Sequence, residues 1–421
     1  MTQDPVVKNA LKWIEESNNW IVSFYKEFIP IKAISPSKGE NGELNRAIFF
    51  EKKLGEWGFP TLRYDARDEK GFTRPNLVVS IPGRTNRRLW IVVHLDTVSI
   101  SREDAWIIKD PFEPELIGER IYGRGVEDNG QSIVASLLAL RALKKHGITP
   151  YYSINIALVS DEEEGSKYGI QHLINLGLFN KEDMVIVPDW GSPDGMKIEI
   201  AEKGIYWIKV TVNGKASHGS LPHKGINAHR LAAKMITVVD SRFREIFCEK
   251  NEIFEPPFST LEPTRCLENQ NDINTVPGRH VFFYDARILP PRDKADLDTL
   301  FHSVSKQLKE ESSFPESIII PDPLVTWEYV ECMTAAPPTP ADAPVVKLLA
   351  HTLSSLRGKS PSLVGIGGGT CASYFRKAGI PAVAWSTIEE TAHSTNENVL
   401  LGNVINDAKV FLMCMIPRSD Y

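Results

Sequence analysis

Three stretches decide the fold: RLWIVV at 88–93, SIVASLLALRALKKHG at 132–147 and INIALVS at 154–160. The first and third are apolar runs of strand length, and the second is an amphipathic helix pattern closed by Gly147. Working outward, NLVVSI (76–81) and DMVIVP (183–188) read as further strands, while Ala47, Phe50, Leu54 and Trp57 recur at helical spacing. Strands alternating with helices predict an α/β fold: a mostly parallel sheet flanked by helices on both faces.

From about residue 198 the texture changes. KIEIAEKGIYWIKVTVNG (197–214) reads as a strand pair, followed by a helix (225–243), a strand (281–289), a helix (295–311) and a strand (324–332). This rhythm predicts a smaller α+β domain at 198–331, inserted into a larger domain made of 1–197 and 332–421. TAAPPTPADAP (334–344) reads as a linker, and a helix, the Gly-rich turn GIGGGT (365–370) and the strand PAVAWST (381–387) resume the first texture. A chain of 421 residues is long enough for such a division.

The formal charge of −6 and the lack of a basic stripe argue against a nucleic-acid partner. No run of about eighteen apolar residues is present, so no membrane span is expected. The first thirty residues mix charges and lack the apolar core of a signal peptide, so the chain reads as cytoplasmic. The five cysteines are scattered and never form CxxC, which excludes a thiolate zinc cluster.

Candidate ligands fall at chain turns. His94 ends one apolar run, the acidic run Asp161–Glu164 ends another, and Asp189 ends a third; Asp128 sits just before a helix and His393 lies near the C-terminus. In open α/β sheets, sites form beyond the carboxyl ends of strands, where these groups would converge. Histidines with carboxylates suit Zn²⁺, with Co²⁺ or Mn²⁺ as substitutes. Two ions need a bridging carboxylate, and Asp128 is the candidate. In His94-Leu95-Asp96 the outer side chains of a strand share a side, so the Asp96 carboxylate is expected to accept the second ring N–H of His94. Singly, each residue has an ordinary explanation; an aspartate before a helix, for instance, is usually an N-cap.

In order and context, however, the residues resemble the co-catalytic zinc amidohydrolases and peptidases. That family includes acetylornithine deacetylase, succinyl-diaminopimelate desuccinylase, aminoacylase, carboxypeptidase G and several di- and tripeptidases. The likeness runs through HLDTV (94–98), DPF (110–112), YGRGVEDNG (122–130), SDEEEGS (160–166), ASHGSLPHKGINA (216–228), DAR (285–287), GGGT (367–370) and TAHSTNE (391–397). It implies that His94 and Asp189 bind one ion and Glu163 and His393 the other, with Asp128 between them and a cis peptide after it. Glu162 matches the general base, and Asp96, as the partner of His94, counts with it among the catalytic residues. Spacing alone leaves a one-residue shift open within the acidic run, and Gly165-Ser166 decides the register.

The inserted domain resembles the family's lid and dimerisation domain, which implies a homodimer. His218 matches a histidine that stabilises the oxyanion. Arg287 and Asn274 match groups that hold a substrate carboxylate, as would backbone N–H groups of the turn at Gly368 and Thr370. Ser99, Asn129-Gly130-Gln131 and Cys371 depart from common family residues without touching a ligand. The implied activity is hydrolysis of the amide bond of an N-acyl amino acid, deacetylase- or desuccinylase-like, or of a short peptide bearing a free carboxylate, as in a di-/tripeptidase or carboxypeptidase. A catalytically silent metal-binding or scaffold protein is the rival from another class.

Overall fold

The computed structural model describes residues 4–100, 105–267, 272–314, 316 and 318–416. The chain forms two compact units. Met1–Ile200, Pro338–Val364 and Thr370–Tyr421 make the first; Ala201–Pro337 and Gly365–Gly369 make the second.

An eight-stranded sheet runs through the first unit. In spatial order its strands are Thr61–Arg67, Thr73–Ile81, Ser153–Val159, Arg88–His94, Met184–Val187, Ala382–Ala384, Lys197–Glu202 and Ser362–Ile366. The four central strands, Ser153–Val159 through Ala382–Ala384, are parallel. Antiparallel strands join them on either side. The α/β architecture is therefore the expected one. Every residue of Arg88–His94 after Arg88 is buried, as is every residue of Ser153–Val159 after Ser153. Strands covered on both faces must be apolar throughout, which is why they read as unbroken runs rather than alternating ones.

The helix Gly130–Lys145 packs against Leu401–Met415, Pro5–Glu15 and Asn18–Phe28. It is buried almost all round, with only Arg141, Lys144 and Lys145 in its second half less covered. The pattern read as amphipathic thus meets solvent only towards its C-terminus, as befits a helix enclosed by others. Among the described residues no helix is long and apolar enough to cross a membrane.

The stretch read as one strand pair divides differently. Lys197–Glu202 belongs to the large sheet, whereas Gly204–Asn213 is a central strand of the second unit. The inserted unit accordingly begins at Ala201 rather than 198 and ends at Pro337 rather than 331, and it takes Gly365–Gly369 with it. Its antiparallel sheet has the order Thr260–Cys266, Arg279–Ile288, Gly204–Asn213, Val325–Met333. Alternate residues of the two inner strands, among them Tyr206, Ile208, Val210, Phe282, Tyr284 and Ala286, pack with the helices Ala228–Ile246 and Lys294–Glu311 into one core. The strand Ser362–Ile366, which runs into the Gly-rich turn, escaped the sequence reading, because SLVGI is short and carries a glycine at its fourth residue.

The helix Leu401–Met415 buries a carboxylate, Asp407, which accepts from Gln131 Nε2 at 2.7 Å and from Thr387 N at 3.0 Å. Burial pushes its pKa up to about 6, against the pull of these hydrogen bonds. The folded state thus holds this proton more tightly than the unfolded chain does, so the contribution of Asp407 to stability falls as pH rises from about 4 to about 6. Asp407→Asn is expected to gain roughly 2–3 kcal/mol on the wild type between pH 4 and pH 7. Urea unfolding of both proteins at the two pH values measures it.

Candidate active site

Three of the five expected ligands come from the ends of neighbouring parallel strands. His94 closes Arg88–His94, Glu163 follows Ser153–Val159, and Asp189 follows Met184–Val187. Parallel register brings these carboxyl ends to one edge of the sheet. Asp128 stands two residues ahead of the helix Gly130–Lys145, and His393 lies in the loop before Asn398–Leu400.

Asp128 is the centre of the cluster. Its Oδ1 lies 2.7 Å from His94 Nε2 and its Oδ2 lies 3.0 Å from His393 Nε2. Asp189 Oδ1 reaches the same His94 nitrogen at 3.3 Å, and Glu163 Oε2 the same His393 nitrogen at 3.0 Å. One carboxylate is therefore shared by two histidine–carboxylate pairs. Donor atoms of His94, Asp128 and Glu163 converge within 4.8 Å, as do those of His94, Glu162 and Asp189. The Asp128–Asn129 peptide is cis, as the resemblance implied.

The electrostatics show what this cluster lacks. Burial, and then Asp189, push Glu162 well above the ordinary carboxylate range. Burial and Asp128 push Glu163 up to about 7. Asp128 itself is buried, which would raise it, but His94 and His393 hold it below the usual range. Hydrogen bonds to Asp128 and Glu163 carry His393 up to about 10. His94 is raised well above its usual value, the attraction of Asp189 and Asp128 overcoming its burial. Four carboxylates face two imidazoles, so the protein alone supplies too little positive charge. Nitrogen and oxygen donors arranged about a shared carboxylate fit two divalent cations.

Asp96 plays a different part from the one expected. The strand ends at His94, so the alternation of side chains stops there. His94 Nδ1 lies 3.0 Å from the backbone carbonyl of Asp96, whereas the nearest carboxylate oxygen is 3.5 Å away. That carboxylate instead accepts the N–H of Glu162 on Oδ1 at 3.1 Å and of Glu163 on Oδ2 at 3.0 Å. It holds the backbone of the acidic run, while its main chain orients the imidazole.

Several supporting residues escaped the sequence reading. Glu397 accepts the N–H groups of Glu127 and Asp128 on one oxygen, and Arg124 Nη1 and Gly125 N on the other. Glu127 returns the contact, accepting from Glu389 N, Thr391 N and Thr391 Oγ1. The loops that carry Asp128 and His393 thus hold each other by exchanging carboxylates. Buried Arg46 donates to the carbonyls of Ile31 and Leu95 and so braces the His94 turn. Glu397 was visible within TAHSTNE and Glu127 within YGRGVEDNG; Arg46 carries no local signal. Among the described residues, the non-glycine positions with positive φ are Asp161, Ser166, Glu390, His393 and Asn396, all in the two loops around Glu162 and His393. Such backbone is held only where surrounding contacts over-determine it.

Two of the departures acquire a role. Asn129 Nδ2 donates to Asp189 Oδ1 at 2.9 Å and to the Pro188 carbonyl at 3.0 Å, steadying that ligand. Cys371 Sγ lies 3.9 Å from Glu162 Oε1 and 3.3 Å from Ser166 Oγ. Burial, then Glu162, pushes the Cys371 thiol up, so it stands there as a neutral group. Nothing in the structure explains Ser99.

The remaining expected residues lie mostly on the second unit. His218 is exposed, pairs across a two-stranded ribbon with Thr275, the neighbour of Asn274, and its Nδ1 is 2.7 Å from Ser220 Oγ. Arg287 is gripped by Asp285 through Nε at 2.7 Å and Nη2 at 3.0 Å, and its Nη1 donates to the Gly367 carbonyl at 2.8 Å. The Gly-rich turn is divided, Gly368 falling in the second unit and Thr370 in the first.

A shared carboxylate between two histidine–carboxylate pairs, with a proton-avid glutamate beside it, defines the metal-dependent hydrolases. The particular family follows from comparison with known proteins. Residues 90–416 match the model of peptidase family M20/M25/M40, and the chain belongs to that family, as a hydrolase of amide or peptide bonds. It is 35% identical over 403 residues to a metallohydrolase of Methanocaldococcus jannaschii, covering 93% of this chain and 97% of that one. It is 26% identical over 394 residues to succinyl-diaminopimelate desuccinylase of Rickettsia akari, covering 89% of this chain and 94% of that one. Carboxypeptidase G2 of a Pseudomonas species matches at 32% over 181 residues, covering 43% of this chain and 41% of that one. Among solved structures, human carnosine dipeptidase 1 shares the fold, with a TM-score of 0.75, 14% identity and coverage of 98% of each chain.

Because Asp128 faces both histidines and Asp189 only one, Asp128→Ala is expected to reduce bound divalent metal more than Asp189→Ala. Plasma mass spectrometry after dialysis against buffered Zn²⁺ measures the difference.

Proposed function

We propose that this protein hydrolyses the amide bond of N-acyl amino acids, removing an acetyl- or succinyl-type group beside a free carboxylate. The observation that carries the reading is Asp128, whose two oxygens address two separate histidine–carboxylate pairs 2.7 and 3.0 Å away, with Glu162 beside the first pair. The alignment with desuccinylases along nearly the whole chain supports the acyl-amino-acid substrate. A second reading, as a carboxypeptidase or di-/tripeptidase, is favoured by the local likeness to carboxypeptidase G2.

In this reading His94 and Asp189 would hold one divalent ion and Glu163 and His393 the other, with Asp128 shared between the two sites. Zinc suits the donors best, with cobalt or manganese as alternatives. When bound, such ions polarise a carbonyl and acidify water. Glu162 takes the proton of the attacking water and returns it to the leaving nitrogen; its raised proton affinity suits both transfers. Asp96 fixes Glu162 and Glu163 through their backbone N–H groups. His218 stabilises the oxyanion from the inserted unit, through which a homodimer forms. Arg287, with Asn274 and the turn at Gly368 and Thr370, receives the substrate carboxylate; Asp285 and the Gly367 carbonyl fix the plane of the guanidinium.

Glu162→Gln is expected to retain metal yet lose turnover by about a hundred-fold or more. Near-normal turnover in that variant would remove Glu162 from the mechanism. The substrate is tested by incubating Zn²⁺-, Co²⁺- and Mn²⁺-loaded protein with N-acetyl and N-succinyl amino acids beside di- and tripeptides. Turnover of acylated amino acids is the expected result. Cleavage of peptides alone selects the peptidase reading, and silence throughout selects a binding or scaffold protein.

A further inference from the structure

Glu162 follows a residue in an uncommon conformation: Asp161 has φ +68°, in the left-handed region that few residues other than glycine adopt, asparagine and aspartate most often among them. Three contacts hold it there. Asp161 Oδ1 lies 2.9 Å from Arg74 Nη2, its Oδ2 accepts Tyr168 N at 3.0 Å, and its own N–H donates to Glu43 Oε1 at 3.2 Å. Arg74 also grips Glu43 with both arms of its fork, Nε to Oε2 at 2.8 Å and Nη2 to Oε1 at 2.5 Å. Glu43, Arg74 and Asp161 are 0%, 2% and 2% exposed. They come from three separate parts of the chain: Glu43 precedes the helix Leu44–Glu56, Arg74 lies on the strand Thr73–Ile81, and Asp161 follows Ser153–Val159.

We propose that Glu43, Arg74 and Asp161 form a positioning unit for Glu162, setting the backbone from which its carboxylate reaches the cluster; this rests on Glu162 being the general base. A buried ion cluster is a poor way to stabilise a fold, since apolar residues of similar volume commonly do as well. It is a good way to fix geometry, because each oxygen and each N–H admits few arrangements. Here Nη2 serves two carboxylates at once, which the single ammonium of a lysine does not reproduce in the same plane. Asp161 then closes the loop on itself through Tyr168 N, and Asp96 takes the N–H groups of Glu162 and Glu163. Both ends of the loop segment that presents the base are thus tied to buried charge. Cys371, 3.9 Å from Glu162 Oε1, stands beside the carboxylate itself.

The test uses metal-loaded full-length protein and two variants. Arg74→Lys keeps the charge and loses the fork. Asp161→Asn keeps a residue that tolerates positive φ and loses the ion pair. Each is expected to lower kcat about ten-fold or more with KM within about two-fold of wild type. Each is also expected to speed hydrogen exchange of the peptide covering 160–168 while the strand at 88–94 is unchanged. Added to Glu162→Gln, either substitution should cost less than about three-fold, because the group it positions is gone. Equal losses with and without Glu162, or wild-type kcat and wild-type exchange at 160–168, overturn the proposal. Near-normal turnover of Glu162→Gln alone identifies failure of the general-base reading, and the positioning role falls with it. If Arg74→Lys does not fold, Asp161→Asn, nearly isosteric with the native residue, decides alone.

Discussion

The crowding of negative charge at one edge of the sheet is the constraint on which the rest of this structure depends. Asp128, Asp189, Glu162 and Glu163 meet around two imidazoles, and Asp96 lies just behind them. So close together such groups repel one another, and burial alone disfavours ionisation of each. The two histidines offset part of this, which is why both are raised while Asp128 is held down. The remainder calls for cations, so the same imbalance that burdens the protein is what lets it hold divalent metal.

Holding those carboxylates in place falls to other buried polar groups. Glu397 and Glu127 lock two loops together by mutual acceptance of backbone N–H groups, and Arg46 braces a third through carbonyls. The positive-φ residues in the loops around Glu162 and His393 are conformations these contacts maintain. The large sheet contributes rigidity: central strands buried on both faces leave their carboxyl ends little freedom to shift. The shared carboxylate, the mutual clamp and the buried strands form one continuous chain of cause from packing to site.

Much of this was legible in the chain. RLWIVV, INIALVS and DMVIVP are unmistakable as enclosed strands, and the residues that end them are the ones that meet. What misled was local texture. KIEIAEKGIYWIKVTVNG looks uniform, yet it is cut between two sheets at Lys203, because which neighbour a strand pairs with is a long-range matter. The two-residue alternation suggested that the Asp96 carboxylate would reach His94, but the strand stops at His94 and the carboxylate turns to the acidic loop instead. Arg46 and Arg74 carry no motif, since an arginine that donates to distant carbonyls or carboxylates is indistinguishable in sequence from any other charged residue.

By itself the sequence determined the alternation of strands and helices, the identity of the ligand-type side chains and their place at strand ends. These are local properties: hydrophobic period, residue chemistry and spacing along a few positions. Only the tertiary structure decided that Asp128 faces two histidines at once and that Asp96 serves the backbone rather than the imidazole. The reason is one of geometry. A carboxylate has two oxygens and several donors within reach, and the choice among them depends on small distances set by strands that are remote in sequence and adjacent in space.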